Sequence, residues 1–446
     1  MKQLFALALA AAIFSGFASQ GQDPKAILQQ VREFQTKAYD SAPKPFTQEA
    51  FDKIQVQVKQ MIRDSLKDVD PAKVDAKDSY DWAELYSMID EHKTVCDLAH
   101  KFLTTNPTPE QKFQDQLLMM RSCNALGEAD MLESTLTEVA PTSSNDSMSL
   151  AYQVGDFVDT IASKKGNDEG MKVLDQVQSH LKLADPKETA KKRLEAEKNP
   201  PKGNGNSIPA TRIGGTNGQK PLTDDEKLAQ YEKQAQAQND SVLSELVMKK
   251  ASLFQQMKKK DQAVSSISDF IKGHPSLSPS AKNQLEMSSK QIGLTMMPAT
   301  DLQAEKTIGS FSGIGALKGR VVVLDFFAHW CGPCMASVPS MVDMYSELHD
   351  KGLEIVGVTQ YYGFFGKDRG ITPEDEFTKL QGLITDKKMT WPIVVGPKDN
   401  SQAYGVWGIP ETVIIDKQGI VRDIKVGYDP AQEAAIKKEI EDLLKE

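Results

Sequence analysis

Cysteine is scarce in this chain: four among 446 residues. So few cannot form the disulfide framework of a small secreted scaffold, and a chain this long has enough apolar content for two or three hydrophobic cores. Basic charge is also in deficit. The formal net charge is −9, which disfavours nucleic acid and anionic membrane as partners, because neither phosphates nor acidic lipids are drawn to such a field. Several catalytic signatures are missing. Without G-x-x-x-x-G-K-[ST], H-E-x-x-H or G-x-S-x-G, nucleotide, zinc-protease and serine-hydrolase chemistry lack their core residues. Nothing in the sequence calls for a cofactor or a resident metal.

Long hydrophobic runs are absent after the first residues. At the start, Lys2 precedes an apolar run from Leu4 to Phe17, followed by Ala18, Ser19, Gln20 and Gly21. That order predicts a secretory signal peptide over residues 1–22, cleaved near Ala18 or retained as an anchor. The expected location is therefore periplasmic or secreted, in an oxidising space.

Strand-like runs are nearly absent before about Thr300. Helical spacing prevails there, as in Phe51, Ile54, Val58, Met61 and Ile62, and in Leu243, Leu246, Val247, Phe254 and Met257. Residues 199–222 are rich in Pro, Gly and Asn without an apolar period, which predicts a flexible linker between helical regions at 23–198 and 223–297. Val95, Ala99, Phe102 and Pro107 share a spacing with Ala263, Ile267, Phe270 and Pro275. This resembles the second helix of a tetratricopeptide repeat, and unspecific helical packing is the other reading. After Arg320 the period changes. Val321–Phe327, Glu354–Val358, Pro392–Val395, Thr412–Ile415 and Ile420–Val426 read as strands between helices, predicting an α/β domain over 300–446.

The stretch HWCGPCMASVPS, from His329 to Ser340, holds two of the cysteines. A strand runs into Cys331, and Met335, Val338, Met341, Val342, Tyr345 and Leu348 have helical spacing. The pair therefore caps a helix, whose free amides and dipole favour a thiolate at Cys331. Cys331 is expected to be the exposed nucleophile and Cys334 the resolving thiol. A zinc half-site would need a second ligand pair, and Cys96 and Cys123 are single and distant in sequence. A structural C-x-x-C disulfide closes too small a loop to constrain the unfolded chain much.

VVVLDFFAHWCGPC, with Pro339 and the later GVWGIPETVIIDKQG, resembles the thioredoxin superfamily over about the last 130 residues. The leading GALKGRVVVLDFFAHWC and the extra segment between Thr359 and Trp391 are most similar to TlpA/ResA-type periplasmic thiol-disulfide oxidoreductases. The resemblance implies a redox-active Cys331–Cys334 disulfide, a cis-proline at Pro410, and backbone groups at Ile409 that meet an extended substrate. It also implies that Asp325 sits behind Cys334 and exchanges its proton. Trp330 is expected to shield the disulfide and to join Ile409 and Pro410 in substrate binding. The implied partners are protein disulfide or dithiol clients and an upstream membrane electron donor or acceptor, with a protein partner on the helical region.

Two departures stand out. Ser337 occupies the place of a Glu frequent in the family, and residues 353–359 lack the lysine that thioredoxins pair with the buried aspartate. Ala328 stands where a peroxiredoxin needs Thr. His329 is expected either to add positive charge beside Cys331 or to be merely solvated. The aromatic run QYYGFFG, residues 360–366, either lines a groove or packs against the inserted helix. Cys96 and Cys123 are either a second disulfide or buried free thiols, with an offset of about six helical residues straining the pairing. The competing function classes are a helical binding protein with a redox-silent platform and a disulfide-forming oxidant.

Overall fold

The computed structural model describes residues 23–42, 47–199 and 222–446. The expected leader and almost all of the expected linker lie outside the described residues. Among the described residues no helix is long and apolar enough to cross a membrane. The chain forms two compact units, Met1–Glu197 and Lys198–Glu446.

The first unit is helical. In chain order α1 spans Pro24–Ser41, α2 Gln48–Leu66, α3 Ser79–Ser87, α4 His92–Leu103, α5 Pro109–Leu126, α6 Ala129–Glu138, α7 Ser144–Lys165, α8 Asn167–His180 and α9 Pro186–Lys198. Ile54, Val58 and Ile62 on α2 are buried as their spacing predicts, while Phe51 stays exposed at the helix start. Polar caps define the starts. Thr108 and Ser143 each form a reciprocal capping box with the residue three positions on.

The second unit begins with three helices, α10 (Asp224–Gln256), α11 (Lys260–Gly273) and α12 (Pro279–Leu294), which bury Val247, Ala251, Ala263, Ile267, Leu285 and Ile292 among themselves. They share this unit with the sheet.

The sheet has the order β1-β6-β3-β2-β7-β8, from Lys306–Ile308, Val321–Phe326, Leu353–Thr359, Ile393–Val395, Glu411–Ile415 and Val421–Val426 as β1, β2, β3, β6, β7 and β8. Two short strands, β4 (Phe364–Phe365) and β5 (Asp368–Arg369), pair separately. The central strands β2 and β3 are buried along their whole length, which is why they read as mostly apolar runs, broken only by Asp325 and by Glu354 and Thr359, rather than alternating ones. Strand β1 escaped the sequence reading because its three residues are mixed in polarity and only half-buried.

Four further helices complete the domain: α13 (Gly332–Leu348), α14 (Pro373–Asp386), α15 (Asp399–Tyr404) and α16 (Pro430–Lys445). Val321, Val323 and Phe327 face the core that contains both active-region cysteines, and Val322, Leu324 and Phe326 face the opposite core.

The helices before the sheet are tied to it by polar contacts. Lys290 Nζ donates to the carbonyl of Gln402 at 2.6 Å, and the Gln291 amide donates to Gly405 O at 3.0 Å and to the Glu411 carboxyl at 2.9 Å. Glu411 is fully buried. Burial pushes its pKa up to about 8, with the Gln291 hydrogen bond pulling the other way. Removing the donor leaves two buried acceptors short of a partner. Gln291→Ala is expected to cost about 1–3 kcal/mol in urea denaturation, and an unchanged midpoint would show that α12 is only an appendage.

Candidate active site

Strand β2 ends at Phe326, and five residues later Cys331 serves as the N-cap of α13. Its sulfur accepts a hydrogen bond from the Cys334 amide at 3.2 Å. That amide is one of the helix donors with no partner in the helix, so the sulfur takes the position where negative charge is favoured. Cys331 and Cys334 are joined in a disulfide. Across from it the Ile409–Pro410 peptide is cis, and Ile409 O lies 3.7 Å from the Cys331 sulfur. The structure thus brings Cys331, Cys334, Ile409 and Pro410 together.

One expectation needs correction. Cys331 is not openly exposed: it shows 5 % of its surface, against 2 % for Cys334. Its sulfur is tied to Cys334, and the Ile409 carbonyl lies against it. Its sequence neighbour Trp330 is exposed at 51 %, as is Trp407, two residues before Ile409, at 41 %. Trp330 packs in a T-shaped contact with Tyr362, 5.4 Å between ring centroids.

Asp325 lies on β2 between Gly357 and Thr412 of the flanking strands. Strand alternation puts it on the face of Val323 and Phe327, toward the cysteine core. It is buried, and desolvation alone raises its pKa to about 7. Ser337, in place of the family's acid, is buried and donates to Cys334 O at 2.9 Å. A cavity of about 260 Å³ opens behind α13, lined by Val323, Ser337, Met341, Pro410, Thr412 and Tyr428.

His329 is not solvated. Its side chain is buried, stacked on Phe365 at 4.4 Å, with Phe364 and Tyr362 edge-on. Burial lowers its pKa, which outweighs the opposing pull of Glu376, 3.6 Å from Nε2. Glu376 on α14 also accepts from the amides of Tyr362 at 2.9 Å and Gly363 at 2.8 Å. The aromatic run is therefore wrapped on His329 and anchored to the inserted helix, with Tyr361, Tyr362 and Phe365 half-buried against the core.

Sequence reasoning passed over Glu411. The signal was available: a carboxylate opening an apolar strand, the same argument that singled out Asp325. Glu376 gave no comparable cue, since it sits in an acidic first helical turn that reads as solvated.

The family model described as Redoxin matches residues 293–443. The match supports a thioredoxin-superfamily domain at the C-terminus. Similar relatives include the thioredoxin-like protein YneN of Bacillus subtilis, 29 % identical over 35 % of this chain and 83 % of its own length. The thiol-disulfide oxidoreductase ResA of Geobacillus thermodenitrificans is 33 % identical over 25 % of this chain, which spans 56 % of that relative. A crystal structure of a thioredoxin-family thiol:disulfide interchange protein from Chlorobium tepidum is 20 % identical, with a TM-score of 0.27, covering 34 % of this chain and 96 % of the other.

Placing Asp325 in this core has a pH signature. Unfolded, its carboxyl titrates near 3.8, and folded near 7. Between those values the native state holds a proton that the unfolded state has released, so stability falls as pH rises from about 4 to 7. The full penalty above pH 7 is on the order of 4 kcal/mol. Asp325→Asn, assayed by urea denaturation, is expected to be more stable than the parent at pH 8 by a few kcal/mol, with the difference gone at pH 4. Equal stability at both pH values would mean that Asp325 is not desolvated in solution.

Proposed function

We propose that this protein is an exported thiol-disulfide oxidoreductase that reduces disulfides in client proteins through Cys331 and Cys334. The observation that carries the reading is the Cys331–Cys334 disulfide at the first turn of α13, with the Cys331 sulfur beside the Ile409 carbonyl and the exposed Trp330 next to it in the chain. The names of the ResA relatives support the reaction class.

In the reducing direction the Cys331 thiolate attacks one sulfur of a client disulfide and the other client sulfur leaves as a thiolate, which takes up a proton. Cys334, losing its proton to the carboxylate of Asp325, attacks the Cys331 sulfur and releases the second client sulfur as a thiolate, which takes up a proton from water. Two electrons and two protons pass to the client, and the protein is left as the disulfide. The proton on Asp325 then returns to solvent, for which the cavity lined by Thr412, the strand neighbour of Asp325, offers a route. Trp330, Ile409 and Pro410 hold an extended client segment. Each cycle needs two electrons from a dithiol donor, which the reading places in the membrane. The leader expected over residues 1–22 supports action outside the cytoplasm, and the helical first unit supplies the partner surface.

Cys334→Ser removes the resolving thiol, so Cys331 should remain in mixed disulfides that a small thiol reductant dissolves and Cys331→Ser abolishes. Failure to trap any partner would sink the mechanism. Direction is read from the equilibrium potential of the pair with Cys96 and Cys123 replaced by Ala. A value near roughly −270 mV is expected for a reductant, and one near roughly −120 mV would make the protein a disulfide-forming oxidant.

A further inference from the structure

Away from the redox domain, α4 and α5 bring the two remaining cysteines together. The Sγ atoms of Cys96 and Cys123 are 3.3 Å apart, and Cys123 Sγ lies 3.2 Å from Met131 Sδ. A Glu128 carboxylate oxygen and the two thiols all lie within 4.8 Å of one another. The offset expected to strain the pair is absorbed in the connection between Leu103 and Pro109, because the sulfurs do meet. Local structure explains the rest. Gly127, with φ +71°, turns the chain at the end of α5, and the Glu128 amide donates back to Cys123 O at 2.9 Å. That fold-back returns Glu128 to the thiol, and the first turns of α6 set Met131 beside it.

We propose that Cys96, Cys123 and Met131 form a binding site for a soft monovalent cation, copper(I), with Glu128 as its carboxylate neighbour. Two thiolates and a thioether are the donor set that copper(I) favours, and a thioether is a poor ligand for harder divalent ions. The spacing agrees. Metal–sulfur bonds of about 2.3 Å in a trigonal site put sulfurs about 4 Å apart, whereas a disulfide needs about 2.05 Å. The observed 3.3 Å is closer to the first. Access favours an ion as well. Cys96 and Cys123 are buried at 2 % and 1 %, out of reach of a client's sulfur, while Met131 is 36 % exposed. Met131 and Glu128 line an open cleft of about 1320 Å³, so an ion can pass by way of the thioether. Binding displaces the two thiol protons, and affinity rises with pH.

The test uses the full chain carrying Cys331→Ser and Cys334→Ser, reduced and kept anaerobic, so that its outcome is independent of the redox reading. Copper(I) is offered in competition with a chromophoric copper(I) chelator. One equivalent retained, with three sulfur neighbours by X-ray absorption, is the expected result. Glu128→Gln should weaken binding by about tenfold, and Met131→Leu by at least as much while removing one sulfur neighbour. Because Met131 is partly exposed, that variant keeps the test informative if Cys96→Ser with Cys123→Ser fails to fold. No retention against the chelator, retention unaffected by Met131→Leu, displacement by equimolar zinc, or a Cys96–Cys123 disulfide that resists reduction in the folded protein would each overturn the proposal.

Discussion

A helix begins with amide hydrogens that no helical carbonyl can satisfy, and in α13 one of them is satisfied by the sulfur of Cys331. Much of the C-terminal domain serves this contact. The sulfur must arrive from a strand that ends directly beneath the helix, so β2 is central, paired with β3 and β7 and buried throughout. The helix must also be held down while its first turn stays fixed, and Val338, Met341, Met344 and Leu348 bury its lower face. Pro339 inside the helix removes one internal hydrogen bond, which burial of that face offsets.

The loop facing the sulfur is constrained from the other side. Glu411 follows Pro410 directly, and its buried carboxyl is met by Gln291 on α12, a partner 120 residues earlier in the chain. The same amide reaches Gly405 O, in the turn that precedes the loop. Gly405 has φ +74°, and a Cβ there would lie 2.7 Å from Met287 O of α12. Backbone approach of this kind excludes any larger residue. The three helices before the sheet are thus part of the frame that positions Ile409 and Pro410.

The sequence carried what depends on local pattern. Strands β2, β3, β6, β7 and β8 were legible from their β-branched runs, and α13 from its apolar spacing. Cys331, Cys334 and Asp325 were legible because two thiols at a strand-to-helix junction and a carboxylate among valines are each costly without a purpose. Contacts that cross the chain were not legible. Nothing near Gln291 announces Glu411, and nothing near Glu376 announces the amides of Tyr362 and Gly363. His329 was misjudged for the same reason. Its neighbours in sequence suggest exposure, and only the insertion, with Phe364 and Phe365 brought back over it, encloses the ring.

These enclosures decide the charge around the sulfurs. Asp325 and Glu411, with values raised to about 7 and about 8, hold or share their protons near neutrality, and burial favours the uncharged form of His329. Ser337 brings a hydroxyl where an acid would have added charge. With burial disfavouring the charged forms of these acids and of the histidine, the helix amides supply a fixed field at Cys331. A thiolate there is favoured by fixed dipoles, whose orientation does not titrate. The one group that does titrate on the cysteine face of β2 is Asp325, so proton transfer in this site has a single carboxylate through which to pass.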